Sequence, residues 1–252
     1  MEGAERWKQK VALVTGATSG IGQAMAHALG SLGMKVAVAG RRKERLAEVV
    51  QGLEVHDVEA FAAPVDLRKE QDIQRMFKDV REKWGSLDVL INNAGLGYYE
   101  TISEASTADW KEMLDVNVLA LSICIREALK DVAHKEDAAI INVSSLAGHR
   151  VPPSIQSTFY AASKHAVKAI TDGVRAELVA KKSKIKLGMI SPGMVKTEFQ
   201  ARSKRAANKS EHVAQFRVLD PEDIAQSVVF MLSTPRHVQI HDIVIRSVEQ
   251  PH

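Results

Sequence analysis

The chain contains a single cysteine, Cys124, in 252 residues. That excludes an intramolecular disulfide, and with no CxxC or Cys/His cluster it excludes a cysteine-based structural zinc. A reducing compartment, the cytoplasm, is the expected setting. Long apolar runs are missing too, so no segment reaches the roughly 18 residues of a membrane span. The charged opening MEGAERWKQK precedes only the short run 11–14, less than the core of a signal peptide. The ending SVEQPH carries no prenylation, peroxisomal or ER-retention signal. Nor is there an excess of one charge: 34 Lys and Arg face 31 Asp and Glu, for a formal net charge of +3. No global field of the kind that marks a nucleic-acid binder follows. With 45% hydrophobic and 26% charged residues, the composition is that of a folded globular chain.

No Pro/Gly-rich linker or repeat divides the chain, and one domain spanning 1–252 is expected. Short β-branched runs at 11–15, 35–39, 59–62, 87–91, 139–144, 186–190 and 243–246 alternate with helical-period segments such as 21–32, 71–84, 108–132, 159–180 and 221–232. This alternation predicts an α/β fold, a doubly wound sheet of about seven parallel strands with helices on both faces. Asp220 is the expected cap of the last helix, with Pro221 in its first turn. The polar stretch 198–216 follows Ser191-Pro192-Gly193. Loops at the carboxyl ends of strands border the ligand crevice of such sheets, so it reads either as a lid or as a solvated surface excursion.

The first strand runs into TGATSGIG, with Gly16, Gly20 and Gly22 opening a helix. Such a turn lets backbone approach a pyrophosphate and aims helix N-terminal N–H groups at it, although a plain strand-to-helix turn has the same look. The spacing GxxxGxG differs from GxGxxG, and no Lys-Ser/Thr follows, which excludes a Walker A loop. The second strand ends at Gly40 and is followed by Arg41 and Arg42. An acidic residue here would bind a ribose 2′-hydroxyl and repel a 2′-phosphate, so basic residues favour NADP(H). Two arginines also sit badly at the positive end of a helix unless an anion binds there. Neutralisation by Glu44 and Glu48 is the alternative.

Tyr160 and Lys164 are four residues apart in FYAASKHAV, which puts them on one helix face about 6 Å apart along the axis. A phenol with a pKa of about 10 is a poor acid at neutral pH. An ammonium about 4 Å away, at an effective dielectric near 20, stabilises a phenolate by roughly 4 kcal/mol, equivalent to about three pKa units. The expected result is a tyrosine titrating near 7, where general acid–base catalysis works best. Alone, YxxxK is common on amphipathic helices.

With NNAG at 92–95, Asn117 in DVNVLA, the serine pair in IINVSSLAG, YAASK, and SPG at 191–193, the chain resembles the short-chain dehydrogenase/reductase family, in its single-domain branch. The resemblance runs over essentially the whole chain, with a cofactor half at about 1–145 and a substrate half at about 146–252. It implies that Tyr160 is the acid/base, that Lys164 lowers its pKa and binds the nicotinamide ribose, and that Ser145, rather than Ser144, orients the substrate oxygen. It further implies that Asn117 holds a water in the proton relay through a helix irregularity. The pyrophosphate would lie on the turn from Gly16 to Gly22, Asp66 would contact adenine, Asn93 would lie beside the adenosine ribose, and Val195 and Thr197 would meet the carboxamide. The implied cofactor-binding set also takes in Thr18, Ser19, Ile21, Leu67, Pro192 and Gly193. The segment GHRVPPSIQSTF is slightly longer than in many members, and HRVP with the ending IQIHDIVIR is similar to the subgroup holding dehydrogenase/reductase family member 11 and the insect farnesol dehydrogenases. That resemblance implies NADP(H) and a lipophilic carbonyl or alcohol, steroid- or isoprenoid-like, with assembly as a homodimer or homotetramer. A 3-oxoacyl-thioester reductase and a dinucleotide-sensing module without turnover are the alternatives.

Other features are weaker. His237 and His241 have helical metal-ligand spacing but stand in loop and strand sequence without a third ligand, so no metal is expected. Tyr98 and Tyr99 either line a lipophilic pocket or pack on a loop. Arg202, Lys204, Arg205 and Lys209 read as a solvated face. Trp110, Met113 and Leu114 serve either a subunit contact or the core.

Overall fold

The structure is a computed structural model that describes residues 2–152, 156–199 and 216–251. Seven parallel strands form the sheet: β1 (Val11–Thr15), β2 (Lys35–Gly40), β3 (Ala60–Pro64), β4 (Val89–Asn92), β5 (Ala139–Val143), β6 (Lys186–Pro192) and β7 (Asp242–Ile245). Their order is β3-β2-β1-β4-β5-β6-β7. The order reverses between β1 and β4, and such a switch point opens a crevice beyond the carboxyl ends of the strands.

Both faces of the sheet are covered, which is why β1 reads as the unbroken apolar run VALVT, buried throughout. Alternate side chains go to opposite faces. Ala12 and Val14 join a core with α2 (Gly20–Ser31), α3 (Lys43–Glu54) and α8 (Pro221–Ser233), supplied by Met25, Leu29, Leu46, Val49, Ile224 and Val228. Val11 and Leu13 face α4 (Glu70–Trp84), α6 (Leu121–Val132) and α7 (Thr158–Ala180), supplied by Ile73, Phe77, Cys124, Ala128 and Val167. A short helix, α1 (Glu2–Glu5), precedes Trp7, whose indole N–H donates to the Leu232 carbonyl at 2.9 Å and ties the amino end to α8. Among the described residues no helix is long and apolar enough to cross a membrane.

Several boundaries move from their sequence positions. β3 starts at Ala60 and runs on to Pro64; as an edge strand bonded only to β2 it tolerates a proline. β4 is assigned from Val89, although the Asp88 backbone is already paired on both sides, its N–H with the Val11 carbonyl at 2.9 Å and its carbonyl with the Ala139 N–H at 3.0 Å, while its carboxylate accepts from the Val11 N–H at 2.9 Å. β5 stops at Val143, β6 runs on to Pro192, and β7 lies one residue earlier than its pattern suggests. The expected helix over 108–132 is three pieces in line: α5 (Thr107–Leu114), a π-helical segment over Asp115–Ala120, and α6. Asp220 caps α8 and Pro221 is in its first turn, with the Asp223 carboxylate accepting from the Asp220 N–H at 2.9 Å. Most of the expected lid, with Arg202, Lys204, Arg205 and Lys209, lies outside the described residues, as does 153–155 in the loop before α7.

Candidate active site

The glycine turn after β1 is held from the end of β4. Gly16 and Gly20 adopt φ +66° and +56°, the left-handed region that glycine enters without steric cost. A Cβ on Gly22 would stand 2.4 Å from both the Asn93 amide nitrogen and the Gly16 carbonyl oxygen. That amide is there because it donates to the carbonyls of Thr15 at 2.9 Å and Gly16 at 3.2 Å, while the Thr15 hydroxyl oxygen accepts from the N–H groups of Asn93 and Ala94, each at 3.1 Å. Asn93 thus spends its amide protons on the turn itself. Thr197 lies across Gly20, its methyl 2.8 Å from where a Cβ would be. Gly22→Ala should therefore push Asn93 off the turn, costing about 1–3 kcal/mol for overpacking. Thermal melting should fall with it, and a melting point unchanged from the parent chain would contradict this account of the turn.

The start of α2 at the same turn carries no side-chain cap. Ser19 is the N-cap of α2 but its side chain makes no cap bond, so the first N–H groups of the helix, which point out of its N-terminus, are free of side-chain competition. The Ser19 and Thr18 hydroxyl oxygens instead accept from the Arg42 guanidinium, both at 2.8 Å. Arg42 is the N-cap of α3 and also pairs with Glu198 at 2.8 Å. Arg41 turns the other way, 52% exposed, with Glu112 of α5 at 3.9 Å. Neither arginine is neutralised by Glu44 or Glu48, since Glu48 pairs with Arg45. Asp66 forms a two-oxygen pair with Arg68, which holds its carboxyl down to about 2, and Leu67 packs at the edge of the core beside it. Ile21 packs on the core from α2. Pro192 closes β6, Gly193 donates its N–H to the Ile245 carbonyl at 2.7 Å, and Val195 makes an isolated bridge with Leu219.

Tyr160 stands in the first turn of α7, and Lys164 one turn on; both are buried. Ser145, following β5, lies beside the Tyr160 phenol and opposes the rise in its pKa, and its hydroxyl accepts from the Ala147 N–H at 3.1 Å, whereas the Ser144 hydroxyl donates to the Lys164 backbone carbonyl at 3.3 Å. The structure thus brings the second serine of the pair, and not the first, to the phenol. Lys164 Nζ donates to the Val143 carbonyl at 3.1 Å and lies 5.9 Å from the Tyr160 ring centre. Here the expectation of a tyrosine near 7 is corrected: burial pushes Tyr160 up to about 12 against the opposing influence of Ser145, and burial pushes Lys164 down to about 8. The expectation assumed an ammonium at salt-bridge distance. The pair is instead sealed in apolar surroundings where desolvation disfavours both charged forms.

Asn117 lies buried in the π-helical segment, an irregularity of the kind that recurs at functional sites. Its amide donates to the Leu96 carbonyl at 2.8 Å and the Ser163 hydroxyl at 3.0 Å, and its carbonyl accepts from the Leu96 N–H at 2.9 Å. The loop is bare at Gly95, where a Cβ would meet the Asn117 carbonyl oxygen at 3.3 Å and Lys164 Nζ at 3.4 Å. Asn117 and Lys164 therefore flank one glycine.

The surroundings of Tyr160 decide the roles left open for Tyr99, Trp110 and Met113 and add Leu96, Gly97, Phe159 and Phe199 to them. Tyr99 and Phe199 flank its ring at 5.6 and 5.9 Å, and Gly97 lies against it. Trp110 stacks on Phe159 at 5.0 Å, and Met113 and Leu96 complete an apolar cluster. So Tyr99 lines the site, Trp110 and Met113 pack within the subunit, and Tyr98 turns its hydroxyl to Glu112. The signal for Gly95 and Gly97 was present in NNAGLG, glycines at alternate positions after a strand. Nothing marked Phe199. Another cluster joins distant segments: His149 Nε2 lies 2.9 Å from the Ser191 hydroxyl and 2.8 Å from Asp242. Ser191 is fully buried and its hydroxyl donates to Asp242, an arrangement that pins the loop after β5 to β6 and β7. Among the described residues no group of three or more potential ligands could hold a metal.

Residues 10–208 match the short chain dehydrogenase family. The chain belongs to that family. It is 44% identical over 255 residues to dehydrogenase/reductase SDR family member 11 of Bos taurus, covering 98% of this chain and 99% of the relative. Farnesol dehydrogenase of Aedes aegypti is 39% identical over 247 residues, 97% and 98% covered. Among solved structures, the closed form of a serine dehydrogenase complexed with NADP+ superposes with a TM-score of 0.88 at 31% identity, with 96% of each chain covered. A short-chain dehydrogenase/reductase from Burkholderia phymatum in complex with NAD superposes at 0.85, with 27% identity and 94% and 89% covered.

Proposed function

We propose that this oxidoreductase is NADP(H)-dependent and interconverts a carbonyl and a primary or secondary alcohol on a lipophilic, steroid- or isoprenoid-like substrate. The observation that carries this reading is the burial of Tyr160 in an apolar, aromatic cluster, with Lys164 Nζ 5.9 Å from its ring centre and Ser145 beside its hydroxyl. The nicotinamide, when bound, supplies the hydride chemistry. The glycine turn with Thr18, Ser19 and Ile21 would hold its pyrophosphate side, Asn93 would lie beside the adenosine ribose, Asp66 and Leu67 would meet the adenine, and Pro192, Gly193, Val195 and Thr197 the carboxamide end. Tyr160 holds the proton that passes to the substrate oxygen, Ser145 orients that oxygen, and Lys164 supplies positive charge to the phenolate left behind. Asn117 positions the loop beside Lys164. Tyr99, Phe199 and Trp110 exclude water and favour an apolar substrate, in keeping with the name of the Aedes aegypti relative.

The choice of NADP(H) rests on Arg42, whose guanidinium is already turned onto Ser19 and Thr18 at the start of α2. Arg41, paired with Glu112, is set aside. A cytoplasmic enzyme is supported by the lone, buried Cys124. Assembly as a homodimer or homotetramer is supported by the exposed apolar Phe230 on α8 and Val244 on the edge strand β7.

The test is oxidation of NADPH against NADH over a panel of lipophilic ketones, aldehydes and 3-oxoacyl thioesters. NADPH should be preferred, and Arg42→Ala should cut the preference about ten- to a hundredfold, the worth of a charged hydrogen-bond partner of about 1.5–3 kcal/mol. Faster turnover with NADH in the parent chain would refute the cofactor assignment. Turnover confined to thioesters would make the protein a 3-oxoacyl-thioester reductase, and tight cofactor binding without turnover would make it a sensor.

A further inference from the structure

Arg42 stands at the N-cap of α3, where the helix dipole presents its positive end and a guanidinium needs an anion beside it. The chain provides one from 156 residues away: Glu198 Oε2 lies 2.8 Å from Arg42 Nη1. The other guanidinium nitrogens are taken up by the Thr18 and Ser19 hydroxyl oxygens. Those hydroxyls keep a proton of their own and can donate it to an anion while accepting from arginine. Glu198 therefore holds the one face of Arg42 that an incoming phosphate needs.

We propose that Glu198 is a cofactor-specificity determinant, an internal carboxylate seated where the 2′-phosphate of NADP(H) binds, so that its charge sets how far the protein favours NADP(H) over NAD(H). This rests on the reading that Arg42 receives the 2′-phosphate. A phosphate dianion and a carboxylate at one guanidinium repel each other, so the carboxylate has to leave. An unphosphorylated ribose makes no such demand, and its 2′-hydroxyl can donate to a carboxylate. Glu198 is also well held. Its neighbours Thr197 and Phe199 are packed on Gly20 and on the Tyr160 ring, which lowers the entropy lost in ordering the pair. An open groove of about 860 Å³ between α2 and α8 is lined by Glu198, Ser19 and Thr197 but not by Tyr160, and offers the displaced side chain solvent to enter.

Because Arg42 and Glu198 are 33% and 49% exposed, the effect is that of a surface pair, and Glu198→Gln should tighten 2′-phosphate binding about two- to fivefold. The experiment is calorimetric titration at fixed ionic strength with adenosine 2′,5′-bisphosphate and with 5′-AMP, on the parent chain, Glu198→Gln and Arg42→Ala. The expected result is that Glu198→Gln raises the bisphosphate-to-AMP affinity ratio and Arg42→Ala abolishes the discrimination. A ratio unchanged or lowered by Glu198→Gln, with Arg42→Ala still destroying discrimination, overturns the role of Glu198 alone. If Arg42→Ala leaves discrimination intact, the assignment of Arg42 itself fails.

Discussion

Tyr160→Phe should lower kcat/KM for carbonyl reduction about 10²- to 10⁴-fold, the usual worth of a positioned acid, while the chain folds and binds cofactor as before. The substitution deletes one oxygen from a buried ring and leaves its contacts with Tyr99, Phe199 and Gly97 in place. The pH profile separates the two partners. Burial holds Tyr160 up to about 12 and Lys164 down to about 8. Below pH 8 the phenol carries its proton and the lysine its charge, so the phenolate formed on proton donation is stabilised. As pH rises through 8 the lysine loses its charge first, and kcat/KM for reduction should fall although the tyrosine is still protonated. Lys164→Met should be slower at all pH and lack that inflection. Persistence of the inflection in Lys164→Met would assign it to another group.

Asn117→Ala should cost about 3–5 kcal/mol of stability. It removes one buried and two part-buried hydrogen bonds and leaves the N–H and C=O of Leu96 without their partner, at about 1–3 kcal/mol for each unsatisfied group. For a chain of this length that is roughly 10 °C in melting temperature. Activity should fall further than the melting point explains, because Leu96 belongs to the loop that carries Gly95 between Asn117 and Lys164 and Gly97 onto the Tyr160 ring. The checks are a thermal melt and kcat/KM measured well below the melting transition. A melting point within a degree or two of the parent would show that the loop is held by something else.

Much of this was legible beforehand because it is periodic or local. Alternating apolar runs and helical-period segments predicted seven parallel strands, and both faces of the sheet are indeed buried. The four-residue spacing of Tyr160 and Lys164 put them on one helix face, and α7 carries both. Boundaries slipped where an edge position tolerates what a central strand does not, as at Pro64. The helix over 108–132 read as one because its apolar period continues through Asp115–Ala120, and a single period does not reveal the π-helical register of the backbone there.

By itself the sequence determined the order and type of the elements, the glycine turn after β1, and the candidate acid with its lysine, since these depend on neighbours within a few residues. Only the tertiary structure decided what those groups face. It turned the Ser144 hydroxyl onto the Lys164 carbonyl, separated Arg42 from Arg41 by giving them Glu198 and Glu112 as partners, and enclosed Tyr160 with Tyr99 and Phe199. It also reversed the expected direction of the tyrosine's pKa. Burial and long-range pairing arise from segments far apart in sequence, 156 residues for Arg42 and Glu198, meeting at the carboxyl ends of parallel strands, and no local pattern encodes that meeting.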